Sequence, residues 1–174
     1  MNEVDQLREK VKSLEQELNQ YKEWNDHLQL QIKKRAPIER KGKTKTAKWE
    51  VRLDEKRNVF YIKLQGRFDY NTAKRVSHDI INILFQTRKG IILVNDISDK
   101  NLIVEPKASF HVRKMVYYFL KFGLKRVIRI VHPEYPQIFQ FFNDQFSKVS
   151  KEVSIPISIA CSLKEAESII DREI

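Results

Sequence analysis

A heptad repeat occupies the first 34 residues and constrains this chain more than any other feature. With Val4 at position a, the a positions are Val4, Val11, Leu18, Asn25 and Ile32, and the d positions are Leu7, Leu14, Tyr21 and Leu28. Eight of these nine are apolar or aromatic, so a helix built from them carries a stripe that its own polar surroundings cannot bury. In a parallel, in-register pair the flanking charges match in sign: Glu3 opposite Arg8, Lys10 opposite Glu15, Glu17 opposite Lys22. Val at a, Leu at d and a single Asn at a favour two strands. Residues 1–34 are therefore expected to form a parallel homodimeric coiled coil, a rod of about 45 Å. A helix folded back on its own C-terminal domain is the alternative.

Residues 33–48 read KKRAPIERKGKTKTAK, with Lys33, Lys34, Arg35, Arg40, Lys41, Lys43, Lys45 and Lys48 against Glu39 alone. Pro37 and Gly42 end helical periodicity and the like charges repel, so residues 35–48 are expected to be an extended, mobile tether. These cations are candidates for contact with nucleic-acid phosphate or an anionic membrane surface, with a solvated spacer as the plain alternative. They carry much of the chain's formal net charge of +10. The segment lacks aromatic side chains to stack on bases, Trp49 lying at its end.

Beyond residue 48, apolar strands alternate with amphipathic helices. WEVRL (49–53) and NVFYIKL (58–64) form a hairpin, and Asp69 or Asn71 caps a helix running through about Thr87. GIILVNDI (90–97) reads as a buried central strand. A helix opens at Pro106, turns Phe110, Met115, Val116, Phe119 and Leu120 inward, and stops near Gly123. RVIRIV (126–131), a helix from Pro136 to about Ser147, IPISIA (155–160) and a last helix capped by Ser162 with Glu165 complete the pattern. Residues 49–174 thus form an α/β domain of order ββαβαβαβα with a mixed, five-stranded sheet.

FYIKLQGRFD with its following helix, IILVNDIS, KRVIRIV and SLKEAESIID resemble the STAS and anti-sigma-factor-antagonist-like domains, in the bacterial branch likened to the CRAL-TRIO fold. The resemblance covers about residues 50–172 and implies a regulatory protein-interaction switch. A lipid or apolar ligand is its further implication. Phosphoswitch members carry an Asp-Ser-Ser-Gly-type loop after the strand that IILVNDIS resembles, whereas this chain has DKNLIVEPKASF. Ser98 and Ser109 are the nearest hydroxyls.

Catalytic signals are sparse. His27, His78, His111 and His132 have no metal-ligand spacing and read as surface or helix-edge residues, and Cys161, after an apolar strand, reads as an inert buried thiol. Asp96 and Asp99 follow the central strand, where open α/β sheets place ligands, though turn and cap roles explain them equally. Phe141 and Phe142, within IFQFF, belong to an aromatic set too large for one helix face, marking either a partner patch or burial against a neighbour. No apolar run approaches the roughly 20 residues that span a bilayer. With one cysteine and no signal-peptide core, the chain reads as cytoplasmic.

The resulting expectation is a non-enzymatic, homodimeric adaptor that binds another protein, without cofactor or metal. A nucleic-acid- or membrane-associated protein acting through its basic segment is the alternative.

Overall fold

The computed structural model of this chain describes residues 11, 38–150 and 154–172, with residues 37–174 forming one compact unit. The heptad positions other than Val11, together with Lys33, Lys34, Arg35 and His27, lie outside the described residues.

The domain is α/β, built on a mixed seven-stranded sheet. Strands β1 (Glu39–Lys43), β2 (Ala47–Asp54) and β3 (Val59–Phe68) are antiparallel neighbours. β3, β4 (Ile91–Ile97), β6 (Leu124–Val131) and β7 (Ile157–Ala160) then run parallel in that order, and β5 (Ile103–Val104) pairs with the far end of β3. Helices α1 (Tyr70–Leu84), α2 (Ser109–Lys121) and α3 (Pro136–Ser147) connect the parallel strands, and α4 (Leu163–Asp171) closes the described domain.

The strand order never reverses across the parallel half. Crossovers of one hand therefore stack on one face. There Val76 and Ile80 of α1, Met115 and Phe119 of α2, and Phe142 and Phe146 of α3 share a core with Val51, Phe60, Leu93 and Val127 of the sheet. Phe60 meets Phe119 edge to face at 5.1 Å. On the opposite face α4 inserts Ala166 and Ile170 over Val59, Ile92, Val94 and Ile128. Arg57, in the β2–β3 turn, fastens α4: it donates to Asp54 Oδ2 (2.7 Å), Glu167 Oε2 (2.5 Å) and the Tyr61 hydroxyl (2.9 Å). Burial opposes the charge of Glu167, but hydrogen bonds from Arg57 and Tyr61 outweigh it and hold the carboxyl below its usual range.

Local signals account for most boundaries. Asp69, rather than Asn71, caps α1 by accepting from Thr72 N at 2.7 Å. Ser162 Oγ caps α4 through Glu165 N at 3.2 Å, and Glu165 reaches back to accept from Cys161 N at 2.7 Å. Asn58 takes the left-handed conformation that the turn needs (φ 56°) and ties it to the β4 approach by donating to Arg88 O at 2.9 Å.

Several expectations are corrected. The described part of the basic segment, residues 38–48, is not a mobile tether: residues 39–43 form β1, and β2 begins at Ala47, two residues earlier than anticipated. Pairing with β2 satisfies the backbone groups on that side of β1, and Lys41 bonds Glu39 at 2.7 Å, relieving the like-charge repulsion that argued against structure. With β1 and the two-residue β5, the sheet has seven strands rather than five. Phe110 is exposed, because the buried stripe of α2 runs through Ala108, Val112, Met115 and Phe119 and His111 takes the inward place beside it. Cys161 is exposed, since β7 ends at Ala160 and the chain turns outward to the cap.

Phe142 is not a surface residue either. It is buried in the main core, and Phe141 packs against the same core. Phe142→Ala removes a buried ring and is expected to destabilise the domain by about 3–5 kcal/mol, read by urea unfolding. A loss below about 1 kcal/mol would place this ring outside the core.

Candidate anion-binding cleft

The basic hairpin is held against α1 by one carboxylate. In β1, Arg40 and Gly42 face the helices, opposite Val51 and Trp49 of β2. Gly42 is required there, because a Cβ would lie 2.0 Å from Trp49 Cζ2, inside the indole ring. The indole so placed donates from Nε1 to Asp79 Oδ2 at 2.9 Å, and Arg40 Nη1 donates to Asp79 Oδ1 at 3.1 Å. Asp79 lies on the solvent-side shoulder of α1, and its charge is spent on Arg40.

Between this hairpin, α1 and α2 lies an open cleft of about 740 Å³. Lys43 comes from β1, Lys74, Arg75 and His78 from the polar flank of α1, and His111 and Lys114 from α2. Asp79 is the one acidic lining residue and already pairs with Arg40. None of Lys43, Lys74, Arg75 and Lys114 takes part in an ion pair among the described residues. Lys74, Arg75 and Lys114, from two helices, thus face a common space, with Asp69 as a nearby opposite charge for Arg75; Lys43 borders that space from the edge strand, in register with Lys48 of the other sheet face. Such an arrangement attracts anions and binds multivalent ones most strongly.

His111 forms part of the wall. It is 4% exposed, its ring meets Tyr70 at 4.6 Å and Phe110 at 5.3 Å, and neither ring nitrogen has a hydrogen-bond partner. Burial first, and then the charges of Lys114 and Lys74, hold its pKa below the usual imidazole value. The helix-edge assignment from sequence is corrected here. His78, by contrast, is exposed and lies within hydrogen-bond distance of Asn82 at 3.1 Å.

The residues singled out from sequence scatter. Of the basic segment, Lys43 borders the cleft from the edge of β1 but shares the open face with Lys41 and Lys48, Arg40 is consumed by Asp79, and Lys41 pairs with Glu39. Lys45 sits at the hairpin turn beside Lys48, away from the helices. Asp96 accepts from Ser98 N (3.1 Å) and Ser98 Oγ (2.6 Å) and pairs with Lys63 at 3.2 Å. Asp99 accepts from Gly66 N at 2.7 Å, securing a glycine (φ +82°) whose Cβ would collide with Thr46 O. Ser109 donates to Pro106 O at 2.7 Å and accepts from Arg113 Nη1 at 3.2 Å. These four are occupied by turns and caps, and the structure does not gather them with Phe141 and Phe142 into one site. The residues that sequence reasoning passed over are Lys74, Arg75 and Lys114. On a helix wheel they are ordinary solvent-side positions, and only the helix pairing brings them together.

No protein-family model matches this chain, and no curated protein matches it.

The position of His111 has a pH consequence. An unfolded chain protonates this residue near 6.5, whereas the folded one resists until lower pH. Between those values the unfolded state binds more protons, so the stability contribution is complete above about pH 6.5 and declines as pH falls through the window. His111→Gln is expected to lose less melting temperature than the wild type between about pH 7.5 and 5.5. Parallel declines would mean that His111 is not the titrating group.

Proposed function

We propose that this chain is a non-catalytic, dimeric binding module whose α/β domain grips a polyanion, the phosphate backbone of nucleic acid being the class that fits best. The observation carrying this reading is the set Lys74, Arg75 and Lys114, which converge on one cleft without ion-pair partners among the described residues. A concave groove suits a strand of phosphates better than a flat bilayer, where only a convex or planar face brings many cations into contact at once. Tyr70, 43% exposed and packed on His111 beside the cleft, offers a stacking surface for a base. The N-terminal heptads would present two clefts together and raise affinity through avidity.

The test is fluorescence anisotropy with labelled single-stranded and duplex DNA across roughly 50–200 mM salt, with anionic vesicles as a parallel arm. Changing Lys74, Arg75 and Lys114 together to Gln is expected to weaken nucleic-acid binding strongly and to make the slope of log K against log salt shallower by about 3 per domain on duplex. Unchanged affinity and slope would sink the reading, and binding to vesicles alone would replace nucleic acid with a membrane surface.

A second reading, the protein adaptor, is favoured by α2. Phe110 and Tyr117 are each 54% exposed and stand seven residues apart, on the same side of the helix. Replacing both with Ala is expected to leave stability within about 0.5 kcal/mol while abolishing capture of a protein partner. Undiminished capture would remove this face from consideration. The resemblance to STAS domains accords with this second reading, and we propose that relationship for residues 50–172.

A further inference from the structure

We propose that Arg129 holds a small monovalent anion of about chloride size inside the core, between the sheet and the three helices. The site is separate from the cleft: Arg129 lies on β6, at the opposite side of the sheet from β1. It faces the helices and is 3% exposed. Its Nε donates to Asn143 Oδ1 at 3.0 Å and its Nη1 to Asn95 Oδ1 at 3.1 Å, while the Phe142 ring centroid lies 5.6 Å from the guanidinium carbon. These partners are neutral. No carboxylate forms an ion pair with Arg129 among the described residues.

A buried guanidinium without a counter-charge is among the costliest arrangements a core can contain. Burial pushes its pKa down to about 10, which leaves it charged at neutral pH. The two asparagine oxygens take two of the five N–H groups of the guanidinium. A cavity of about 40 Å³ adjoins Arg129 and Asn95, walled by Leu64, Ile80, Met115 and Phe146. That space admits a halide or a formate-sized ion and excludes an acyl chain. Apolar walls also disfavour a multivalent anion, whose desolvation costs more than one guanidinium returns. Access is short: the next strand outward is β7, at the sheet edge, where Ile159 pairs with Arg129 and is 51% exposed.

The experiment compares thermal melts of the full chain in sodium chloride and sodium gluconate at equal ionic strength. The wild type is expected to show a saturating rise in Tm of roughly 3–8 °C with chloride. Asn95→Asp supplies a built-in carboxylate against Arg129, so this variant is expected to melt alike in both salts, near the chloride-saturated wild type. Equal wild-type melting in the two salts, or a full chloride response in Asn95→Asp, would overturn the proposal. Crystals of the wild type grown in bromide decide the matter even if that variant does not fold: an anomalous bromide peak against the Arg129 guanidinium supports the site, and water alone there refutes it.

Discussion

The unreversed strand order of the parallel half governs the rest of this domain. Because β3, β4, β6 and β7 follow one another without a switch in direction, α1, α2 and α3 lie side by side on one face and bury a single continuous core. The doubly wound alternative would have opened a ligand crevice where the order reverses. With all three crossover helices on one side, the concavities arise instead at the seams: beside the hairpin, where α1 and α2 meet β1, and under α3, where the core closes around Arg129.

Charge follows the same geometry. α4 covers only the β3, β4, β6 and β7 region of the second face, so Lys41, Lys48, Glu50, Arg52 and Lys63 stand on an open sheet surface. Opposite charges alternate there, Lys41 with Glu39 and Lys63 with Asp96, and Arg52 lies 4.1 Å above the Tyr61 ring centroid. On the helix side the balance differs. Asp79 neutralises Arg40 and anchors Trp49, leaving Lys74, Arg75 and Lys114 without ion-pair partners among the described residues. The hairpin therefore separates a balanced face from an unbalanced one, and the unbalanced one is concave.

Arg129 and His111 are both buried polar groups in a domain whose other buried donors and acceptors are largely satisfied. His111 resolves its burial by remaining neutral, at the cost of pH sensitivity. A guanidinium lacks that route at neutral pH, which is why its amide shell and adjoining cavity carry more information than an ordinary core contact.

Apolar periodicity, caps and turn residues made most elements legible before any coordinates: the β2–β3 hairpin, the buried β4, the helices opened by Pro106 and Pro136, and the Ser162 cap all depend on neighbours within a few residues. The basic segment misled, because repulsion is the local signal in RKGK and its relief depends on the strand pairing that sets Glu39 and Glu50 beside Lys41 and on Asp79, which bonds Arg40 from the helix. Phe110 and His111 exchanged places for a related reason. A 3₁₀ turn at Pro106–Ala108 precedes α2, and the phase of the buried stripe is set by the packing of Ala108 and Val112 rather than by the largest apolar side chain. By itself the sequence determined the types and order of the elements from β2 onward, apart from the short β5, since propensity, capping and period are local properties. Only the tertiary structure decided which polar residues of separate elements share one space, because cleft and core anion site alike depend on distances between helices and strands that no local pattern encodes.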